Sequence, residues 1–310
     1  MRIFLTGATG YIGGAVLDAL VRAGHDVTAL VRDGEKARRI ARRAAHPVVG
    51  NLADSNSFRG ALDAQDGYVH AAFDYASGRG AAVERDALDA MIAAAKRPRT
   101  GTADSRKRFL IYTSGIWILG PSPEPAAEDA PVNPIALASF RPAHEQLVLD
   151  AAGSRLRTIV VRPGVVYGGG SGIVGDIFKA ASNGLIRVVG DGNNHWPTIY
   201  DRDLADLYAK LAARDDASGV YHANDEGDER VNDIVSAIRS HLPVRPDVRY
   251  VPLDEAHAKM GAYADALALD QVVRSPRARA LGWTPSLHSV GGNAARLLEE
   301  WRTAREVPQV

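Results

Sequence analysis

The stretch that decides the fold opens the chain: Ile3-Phe4-Leu5-Thr6-Gly7-Ala8-Thr9-Gly10-Tyr11-Ile12-Gly13. Its three leading apolar residues predict a strand, and residues 11–23 predict a helix that ends at Gly24. The glycines at positions 7, 10 and 13 fall between these two elements. There, the first glycine permits a tight turn, the second lets backbone approach a pyrophosphate, and the third lets helix and strand pack closely. We therefore predict a dinucleotide-binding turn at a helix N-terminus.

Short apolar strands and helical segments alternate through the first half of the chain. Strands are predicted at 3–5, 27–31, 48–49, 68–72, 109–113 and 158–161, a helix at 55–64, and an irregular proline-rich segment at 121–134. This alternation predicts an α/β fold with a doubly wound parallel sheet of the Rossmann type. We expect residues 1–167 to form the dinucleotide-binding domain, joined by a strand near 219–224. Residues 168–310 would form a smaller, mainly substrate-binding C-terminal region.

The composition limits the classes of partner. The chain has 310 residues, and its 37 basic residues balance 37 acidic ones. This balance gives no reason to expect nucleic acid or an acidic membrane surface as partner. No cysteine is present, and nine scattered histidines predict no metal site. No apolar run approaches a membrane span, and no signal peptide fits the start. We expect a cytoplasmic protein with a small-molecule substrate, for which a homodimer is a possible assembly.

The end of the second predicted strand selects between NAD(H) and NADP(H). Proteins that bind NAD usually place an acidic residue there, which bonds the ribose 2′-hydroxyl. This chain has Leu30-Val31-Arg32 instead, and a guanidinium suits a 2′-phosphate through forked, charge-assisted hydrogen bonds. Asp33 follows, and we expect it to turn into the loop. Arg32 therefore predicts NADP(H), although a solvated loop arginine would give the same sequence.

Six marks along the chain carry a family resemblance. They are Thr6 to Gly13, Gly50 to Asp54, His70 to Ala72, Tyr112 to Gly115, Arg162 to Gly168, and Asp201 to Ala205. With them the chain resembles the extended short-chain dehydrogenase/reductase superfamily, in its NAD-dependent epimerase/dehydratase and dihydroflavonol reductase-like group. The resemblance spans nearly the whole chain.

The resemblance also implies which residues hold the cofactor. Asn51 and Leu52 would meet the adenine, with Asn51 in place of the family's usual aspartate. Ala71 and Ala72 would pass beside the pyrophosphate and ribose. With the glycine turn, Arg32 and the residues expected near the nicotinamide, the cofactor-binding set is Gly7, Thr9, Gly10, Tyr11, Ile12, Gly13, Arg32, Asn51, Leu52, Ala71, Ala72, Ser114, His144, Pro163, Gly164, Val165 and Val166.

The resemblance fails at the residues that carry the family's chemistry. The family normally uses a Ser or Thr after the fifth strand, then a Tyr and a Lys four positions apart on the next helix. Alignment places Gly115 at the hydroxyl position, Phe140 at the tyrosine and His144 at the lysine. No tyrosine lies between positions 112 and 167, and no lysine lies between 107 and 179. The standard acid/base pair is therefore missing, and the active site is atypical.

Three residues near the missing triad are candidates for catalysis. Ser114 is the hydroxyl that remains near its place. His144 can exchange a proton near neutral pH, or it could only bond the ribose or lie on the helix surface. Arg141 could bind an anionic or carbonyl group, or it could form a surface ion pair with Glu145.

Candidate substrate contacts lie in loops after the strands and in the C-terminal region. Loops at the carboxyl ends of parallel strands form the binding crevice of a doubly wound sheet. Packing alone would also explain these residues, Trp196 and Tyr200 in particular. The candidates are Tyr75, Tyr167, Ser171, His195, Trp196 and Tyr200.

These observations lead to one preferred function and two alternatives. We expect an NADP(H)-dependent oxidoreductase of the epimerase/dehydratase-like group, which acts on a small carbonyl or hydroxyl compound with a non-standard proton donor. The missing triad also suits an NADP(H)-binding sensor or regulator without turnover. The third hypothesis is a non-redox isomerase or lyase on the same fold.

Overall fold

The structure is a computed structural model that describes residues 1–75, 77–98 and 106–306. The strands are β1 (Arg2–Thr6), β2 (Asp26–Val31), β3 (His46–Val49), β4 (Gly67–His70), β5 (Arg108–Thr113), β6 (Ser122–Ala126), β7 (Leu156–Pro163), β8 (Val165–Tyr167), β9 (Leu185–Val189), β10 (His195–Trp196), β11 (Thr198–Tyr200), β12 (Gly219–Ala223), β13 (Glu229–Arg230), β14 (Asp247–Val251) and β15 (Gln271–Val273).

The helices follow in the same chain order. They are α1 (Tyr11–Arg22), α2 (Gly34–Ala41), α3 (Arg59–Leu62), α4 (Gly80–Lys96), α5 (Arg141–Asp150), α6 (Gly172–Ser182), α7 (Asp201–Ala213), α8 (Val231–Ser240), α9 (Leu253–Met260), α10 (Tyr263–Ala268), α11 (Pro276–Ala280) and α12 (Ala294–Glu306). Short 3-10 helices lie at Ser55–Ser57, Ile116–Leu119, Ala136–Ala138 and Gly291–Asn293.

Seven strands form the main sheet, in the order β12-β7-β5-β4-β1-β2-β3. Neighbouring strands from β7 to β3 pair in parallel, and Leu5 of β1 lies beside Ala29 of β2 and Val69 of β4. All three of these side chains are fully buried, as expected for a parallel sheet that is covered on both faces. The α/β class of Rossmann type and the six predicted strands of the first half are confirmed.

The segment predicted as one helix at 55–64 is broken into a 3-10 turn and the short helix α3. The Asp54 carboxylate accepts a hydrogen bond from the Asn56 N–H over 3.1 Å. The Ser57 hydroxyl donates to the Asp54 carbonyl over 2.6 Å. Such side-chain bonds to nearby backbone compete with the helical pattern, so a continuous helix does not form.

The proline-rich segment expected to be irregular contains a strand. β6 pairs in parallel with β15, so that Ser122 lies beside Gln271 and Ala126 beside Val273. The Ser122 N–H donates to the Asp270 carbonyl over 2.9 Å. The partner strand is about 150 positions away along the chain, which is why the local sequence gave no sign of this pairing.

The described residues divide into two compact units that alternate along the chain. The first contains Met1–Ser114, Ala143–Val161 and Ala205–Tyr221, and the second contains Gly115–Pro142, Arg162–Leu204 and His222–Val310. Our expectation had placed one boundary after residue 167. The difference arises because the segments after β5 and within β7 leave the first unit, while most of α7 returns to it. There the Tyr208 hydroxyl lies 2.7 Å from the Thr113 hydroxyl.

The second unit has an apolar core of its own. Side chains of α6, α8 and α12 pack together there, among them Phe178, Ile234 and Trp301. In the described part of the chain, no helix combines the length and hydrophobicity needed to cross a bilayer. The same residues include no cluster of side chains suited to hold a metal ion.

Candidate functional site

The turn between β1 and α1 uses glycine where no side chain fits. Gly7 has a φ of +82°, and a Cβ on it would lie 2.3 Å from the carbonyl oxygen of Ala71. A Cβ on Gly13 would lie 2.2 Å from the carbonyl oxygen of Gly7. Any side chain at either position would have to displace backbone. The spacing of the motif therefore follows from the close packing of the turn against α1 and the segment after β4.

The first turn of α1 presents backbone N–H groups to a ligand. The helix begins at Tyr11, and its N-cap Gly10 provides no side-chain cap. The Gly10 N–H donates to the Gly7 carbonyl over 2.8 Å, which closes the turn. A helix N-terminus attracts anions through its N–H groups and the helix dipole. The uncapped helix and the glycine turn therefore fit the pyrophosphate of a dinucleotide.

At the end of β2, the acidic residue Asp33 is bonded to Lys36. Asp33 is the N-cap of α2, and its Oδ1 accepts from the Lys36 N–H over 2.8 Å. Its Oδ2 accepts from Lys36 Nζ over 2.6 Å. These bonds to Lys36 lower the pKa of Asp33. Arg32 beside it is exposed, so a guanidinium is accessible at the strand end while the carboxylate is engaged by the helix.

The residues expected at the adenine and the pyrophosphate follow β3 and β4. Asn51 is exposed and Leu52 half-buried. Local bonds hold the loop, because Asn51 Oδ1 accepts from the Ala53 N–H over 3.0 Å. Ala71 and Ala72 are half-buried beside the glycine turn. All four positions lie in the first unit, together with the turn.

Ser114 follows β5 and is 6% exposed. Its N–H donates to the Val161 carbonyl over 2.8 Å, which continues the sheet pairing. Its hydroxyl oxygen is buried, with no hydrogen-bond partner among the described residues. Buried hydroxyls nearly always have a partner. An unsatisfied hydroxyl at the carboxyl end of a central strand is thus suited to bond a ligand.

His144 lies in the interior rather than on the helix surface. Its side chain is 6% exposed, and its Nδ1 lies 2.7 Å from Glu84 Oε2. Glu84, on α4, is 1% exposed. The same Oε2 accepts from the Tyr112 hydroxyl over 2.9 Å, while His70 Nε2 lies 3.9 Å from Glu84 Oε1. A buried carboxylate thus lies between two imidazoles.

Glu84 was not among the predicted site residues, and Thr6, His70 and Tyr112 were family marks with no assigned role. His70 Nδ1 lies 2.8 Å from the Thr6 hydroxyl, and the His70 ring stacks on Tyr112 with centroids 6.2 Å apart. The available signal was one acidic residue at a position of α4 where the helix is otherwise apolar. We call Thr6, His70, Glu84, Tyr112 and His144 the buried imidazole cluster; all five belong to the first unit.

In the second unit, Gly115 and Phe140 occupy the positions expected for the family's hydroxyl and tyrosine. Gly115 has a φ of −176°, which any residue can adopt. The nearest atom to a Cβ there would be Arg141 Nε, at 4.0 Å. The Arg141 guanidinium carbon lies 5.0 Å from the centre of the Phe140 ring. Space for a hydroxyl side chain exists at Gly115, and a cation lies beside it.

Glu145, the partner considered above for a surface ion pair with Arg141, is buried at 4% exposure and does not lie on the surface. Arg141 itself is half-buried at the start of α5. Its proposed contact with an anionic or carbonyl group stays a prediction.

Backbone packing governs the segment after β7. A Cβ on Gly164 would lie 2.0 Å from the Pro197 carbonyl oxygen. The Gly164 N–H donates to the Ala223 carbonyl over 2.9 Å. Pro163 and Val165 are buried, and Val166 is half-buried. These contacts explain the glycine. The expected contact of Pro163 to Val166 with the nicotinamide stays a prediction.

Tyr167 is fully buried, with a carboxylate as its partner. Its hydroxyl donates to Asp225 Oδ2 over 3.1 Å, and the Thr198 hydroxyl donates to the same oxygen over 2.9 Å. Burial raises the pKa of Asp225 to about 6. Burial, with Asp225 as the neighbouring charge, also raises the pKa of Tyr167 above its ordinary value. Internal packing accounts for Tyr167, and sequence reasoning missed Asp225.

Tyr200 and Trp196 also have internal partners. The Tyr200 hydroxyl donates to Glu300 Oε1 over 3.0 Å, and burial raises the pKa of Tyr200 to about 12. Trp196 is 4% exposed, and its Nε1 donates to the Leu267 carbonyl over 3.2 Å. These contacts favour the packing interpretation for both residues.

The remaining substrate candidates are more accessible. His195 is half-buried, and its Nδ1 lies 2.8 Å from Asp270 Oδ1. Ser171 is exposed as the N-cap of α6. Tyr75 is 84% exposed and packs edge-on against Phe73, with centroids 4.8 Å apart. The structure brings none of the three into the buried imidazole cluster.

Comparison with known proteins assigns the family. The model of the NAD dependent epimerase/dehydratase family matches residues 3–223. The chain belongs to this family. The uncharacterized protein C2A9.02 of Schizosaccharomyces pombe is 30% identical over 295 residues, which cover 92% of this chain and 95% of the relative. The resemblance deduced from the motifs is confirmed.

Two further similarities come from an enzyme and a solved structure. The 4-hydroxy-2-methyl-3-oxo-4-farnesyl-3,4-dihydroquinoline-1-oxide ketoreductase of Stigmatella aurantiaca is 24% identical over 83% of this chain and 78% of its own length. The crystal structure of human epimerase family protein SDR39U1 with NADPH superposes with a TM-score of 0.79 at 21% identity, covering 96% of this chain and 99% of that one. The structural match shows that the epimerase/dehydratase family fold is shared.

Proposed function

We propose that this epimerase/dehydratase family member is a cytoplasmic NADP(H)-dependent oxidoreductase that acts on a small carbonyl or hydroxyl compound. The observation that carries the proposal is the end of β2 beside the glycine turn. There Asp33 is engaged by Lys36 at 2.6 and 2.8 Å, and Arg32 is exposed. An acid at this place would bond the ribose diol of NAD and repel a 2′-phosphate. An accessible guanidinium favours the phosphate.

The chemistry of the chain's own side chains supports a redox role. NADP(H), when bound, supplies or accepts a hydride. Ser114 has a buried hydroxyl without a hydrogen-bond partner among the described residues, and we assign it to hydrogen bonding with the substrate oxygen. His144 takes the place of the missing tyrosine and lysine as the group that exchanges the proton. We assign Arg141 to an anionic or carbonyl group of the substrate.

The relative from Stigmatella aurantiaca is named a ketoreductase, which agrees with a carbonyl substrate. A second candidate function is NADP(H) binding without turnover. It is favoured by Phe140 and Gly115, neither of which can exchange a proton or donate a side-chain hydrogen bond.

Calorimetric titration with NADPH and NADH tests the cofactor assignment. We expect NADPH to bind more tightly, and Arg32→Ala to remove most of the difference, about 10- to 100-fold for one or two charge-assisted hydrogen bonds. Arg22→Ala is the matched control. Arg22 is an exposed arginine at the C-terminal end of α1, away from the glycine turn, and it pairs with Asp206. Equal affinities, or tighter NADH binding, would contradict the assignment.

Turnover is tested by following NADPH absorbance with a panel of small ketones and aldehydes. Oxidation of NADPH with at least one of them is the expected result. Tight NADPH binding without turnover on any carbonyl would favour the sensor.

A further inference from the structure

The strongest unassigned feature of the molecule is the carboxylate of Glu84. We propose that Glu84 is a positioning residue, which fixes the tautomer of His144 and stabilises the charge that this imidazole carries during proton exchange. The proposal rests on the proposed function for its catalytic part. Its structural part, the state of the imidazole, can be measured without turnover.

The contact between Glu84 and His144 has the geometry of a strong hydrogen bond. Glu84 Oε2 lies 2.7 Å from His144 Nδ1, a distance typical of charge-assisted hydrogen bonds. An ionised carboxylate only accepts, so the contact identifies Nδ1 as the protonated ring nitrogen. Any proton that His144 exchanges with a ligand must then pass through Nε2. The contact thus decides which nitrogen is the reactive one, as in other His–carboxylate pairs of enzymes.

Burial also makes the charge of Glu84 important for His144. Glu84 and His144 are 1% and 6% exposed, so water does not screen either group. A buried carboxylate is strongly unfavourable unless hydrogen bonds and an opposite charge compensate it. Two imidazoles and the Tyr112 hydroxyl supply this compensation, since His70 Nε2 lies 3.9 Å from Oε1 and the hydroxyl donates to Oε2. The negative charge of Glu84 therefore stabilises an imidazolium at His144. A neutral residue at position 84 would leave that positive charge buried without an opposite charge.

The proton balance of a reduction follows from these contacts. When bound, NADPH would supply a hydride, which is one proton with two electrons, to the substrate carbonyl carbon and would become NADP⁺. The carbonyl oxygen receives the Nε2 proton of the His144 imidazolium and becomes a hydroxyl. His144 is left neutral with its proton on Nδ1, still bonded to Glu84, and solvent restores the Nε2 proton. Glu84 remains ionised throughout, so it stabilises the charged donor without exchanging a proton itself.

The alternative is that the buried imidazole cluster only holds α4 and α5 on the sheet. Under that interpretation Glu84 and His144 variants would change stability, and their effects on turnover would be independent. Glu145 on α5 is also buried. In the described part of the chain, the charged or titratable groups near the cluster include Glu84, His70, Tyr112, His144, Glu145 and, at the start of α5, Arg141.

Nitrogen-15 NMR of the wild-type protein tests the structural part. The signal of His144 is assigned by its loss in His144→Asn. We expect a slowly exchanging proton on Nδ1 at unusually low field, and Glu84→Gln should move it upfield. Tyr112→Phe is the matched control, because it removes the other bond to Oε2 and should leave the proton on Nδ1. A neutral ring protonated at Nε2 in wild type would overturn the proposal, even if Glu84→Gln failed to fold.

Kinetics test the catalytic part. Glu84→Gln should lower kcat for NADPH oxidation by about 10- to 100-fold, the equivalent of one charge-assisted hydrogen bond, with little change in NADPH affinity. In a His144→Ala background the same change should have almost no effect, because Glu84 acts through His144. Full additivity of the two substitutions would overturn the proposal. Absence of turnover in wild type would instead refute the proposed function and leave the NMR result to decide on Glu84.

Discussion

The glycine turn and the buried imidazole cluster lie in the same unit, and they are built in opposite ways. The turn depends on backbone alone, since a Cβ on Gly7 or Gly13 would lie 2.3 or 2.2 Å from a carbonyl oxygen. The cluster depends on side chains from five elements, with Glu84 of α4 bonded to His144 of α5 and Tyr112 of β5. Positions 7 and 13 of the turn tolerate only glycine, whereas several residue types can supply the groups of the cluster.

This difference accounts for a proposed site in which the glycine turn follows the family pattern and the proton-exchanging residues depart from it. A steric requirement on backbone has one solution, which is glycine. A proton can be exchanged by a tyrosine or by an imidazole, provided that neighbouring groups orient it. The departure at Phe140 and His144 is therefore compatible with redox chemistry if the Glu84 contact performs its proposed task.

The largest expected effect is on cofactor binding at the turn. Gly10→Val should weaken NADPH binding by roughly 1000-fold or more, because a branched side chain blocks several charge-assisted bonds between backbone and phosphate. Calorimetry measures the affinity, and thermal unfolding checks that the variant is folded. NADPH affinity within a few-fold of wild type would show that the pyrophosphate does not lie on this turn.

The next effect separates two neighbouring glycines of α1. Gly13→Ala should lower the free energy of unfolding by about 3 kcal/mol, since its Cβ meets backbone at 2.2 Å. Gly14→Ala is the matched control. Its Cβ would lie 3.5 Å from the Ala8 carbonyl oxygen, an ordinary contact, and helix propensity favours alanine by about 1 kcal/mol. Equal losses of stability in thermal or urea unfolding would refute the steric explanation of the motif.

The sequence alone predicted the features that depend on residues close together in the chain. The glycine spacing gave the turn, and apolar runs gave the strands of the main sheet. It could not give Glu84, because an acidic residue on a helix ordinarily reads as solvent-exposed and its partner His144 is 60 positions away. Nor could it give the pairing of β6 with β15 or the carboxylate partner of Tyr167. These features depend on contacts between residues far apart in the chain.

A third region sharpens the comparison, because hydroxyl groups bond its buried carboxylate. Asp225 is 1% exposed and is bonded by the hydroxyls of Tyr167 and Thr198. Burial raises its pKa from 3.8 to about 6. The folded state therefore binds this proton more tightly than the unfolded state, and stability falls as pH rises from about 4 to about 6.

Asp225→Asn should remove about 2–3 kcal/mol of this pH-dependent loss of folding stability. The variant should therefore be more stable than wild type at pH 7 but not at pH 4. Asp201, whose pKa burial also raises to about 6, leaves a residual slope. Asp216→Asn is the matched control, because this exposed carboxylate has a pKa lowered to about 2 by its bond to Arg214. Urea unfolding at pH 4, 5, 6 and 7 measures how the free energy of unfolding changes with pH. Identical slopes in wild type and Asp225→Asn would show that folding does not raise the pKa of Asp225.

The most direct measurement compares His144→Ala with wild type in two assays, NADPH affinity by calorimetry and NADPH oxidation on a carbonyl substrate that wild type accepts. If His144 is the proton donor, turnover falls by about 100-fold or more while NADPH affinity changes little. Weaker NADPH binding at unchanged turnover would mean that His144 only holds the ribose. A variant unchanged in both assays would remove His144, and Glu84 with it, from the reaction.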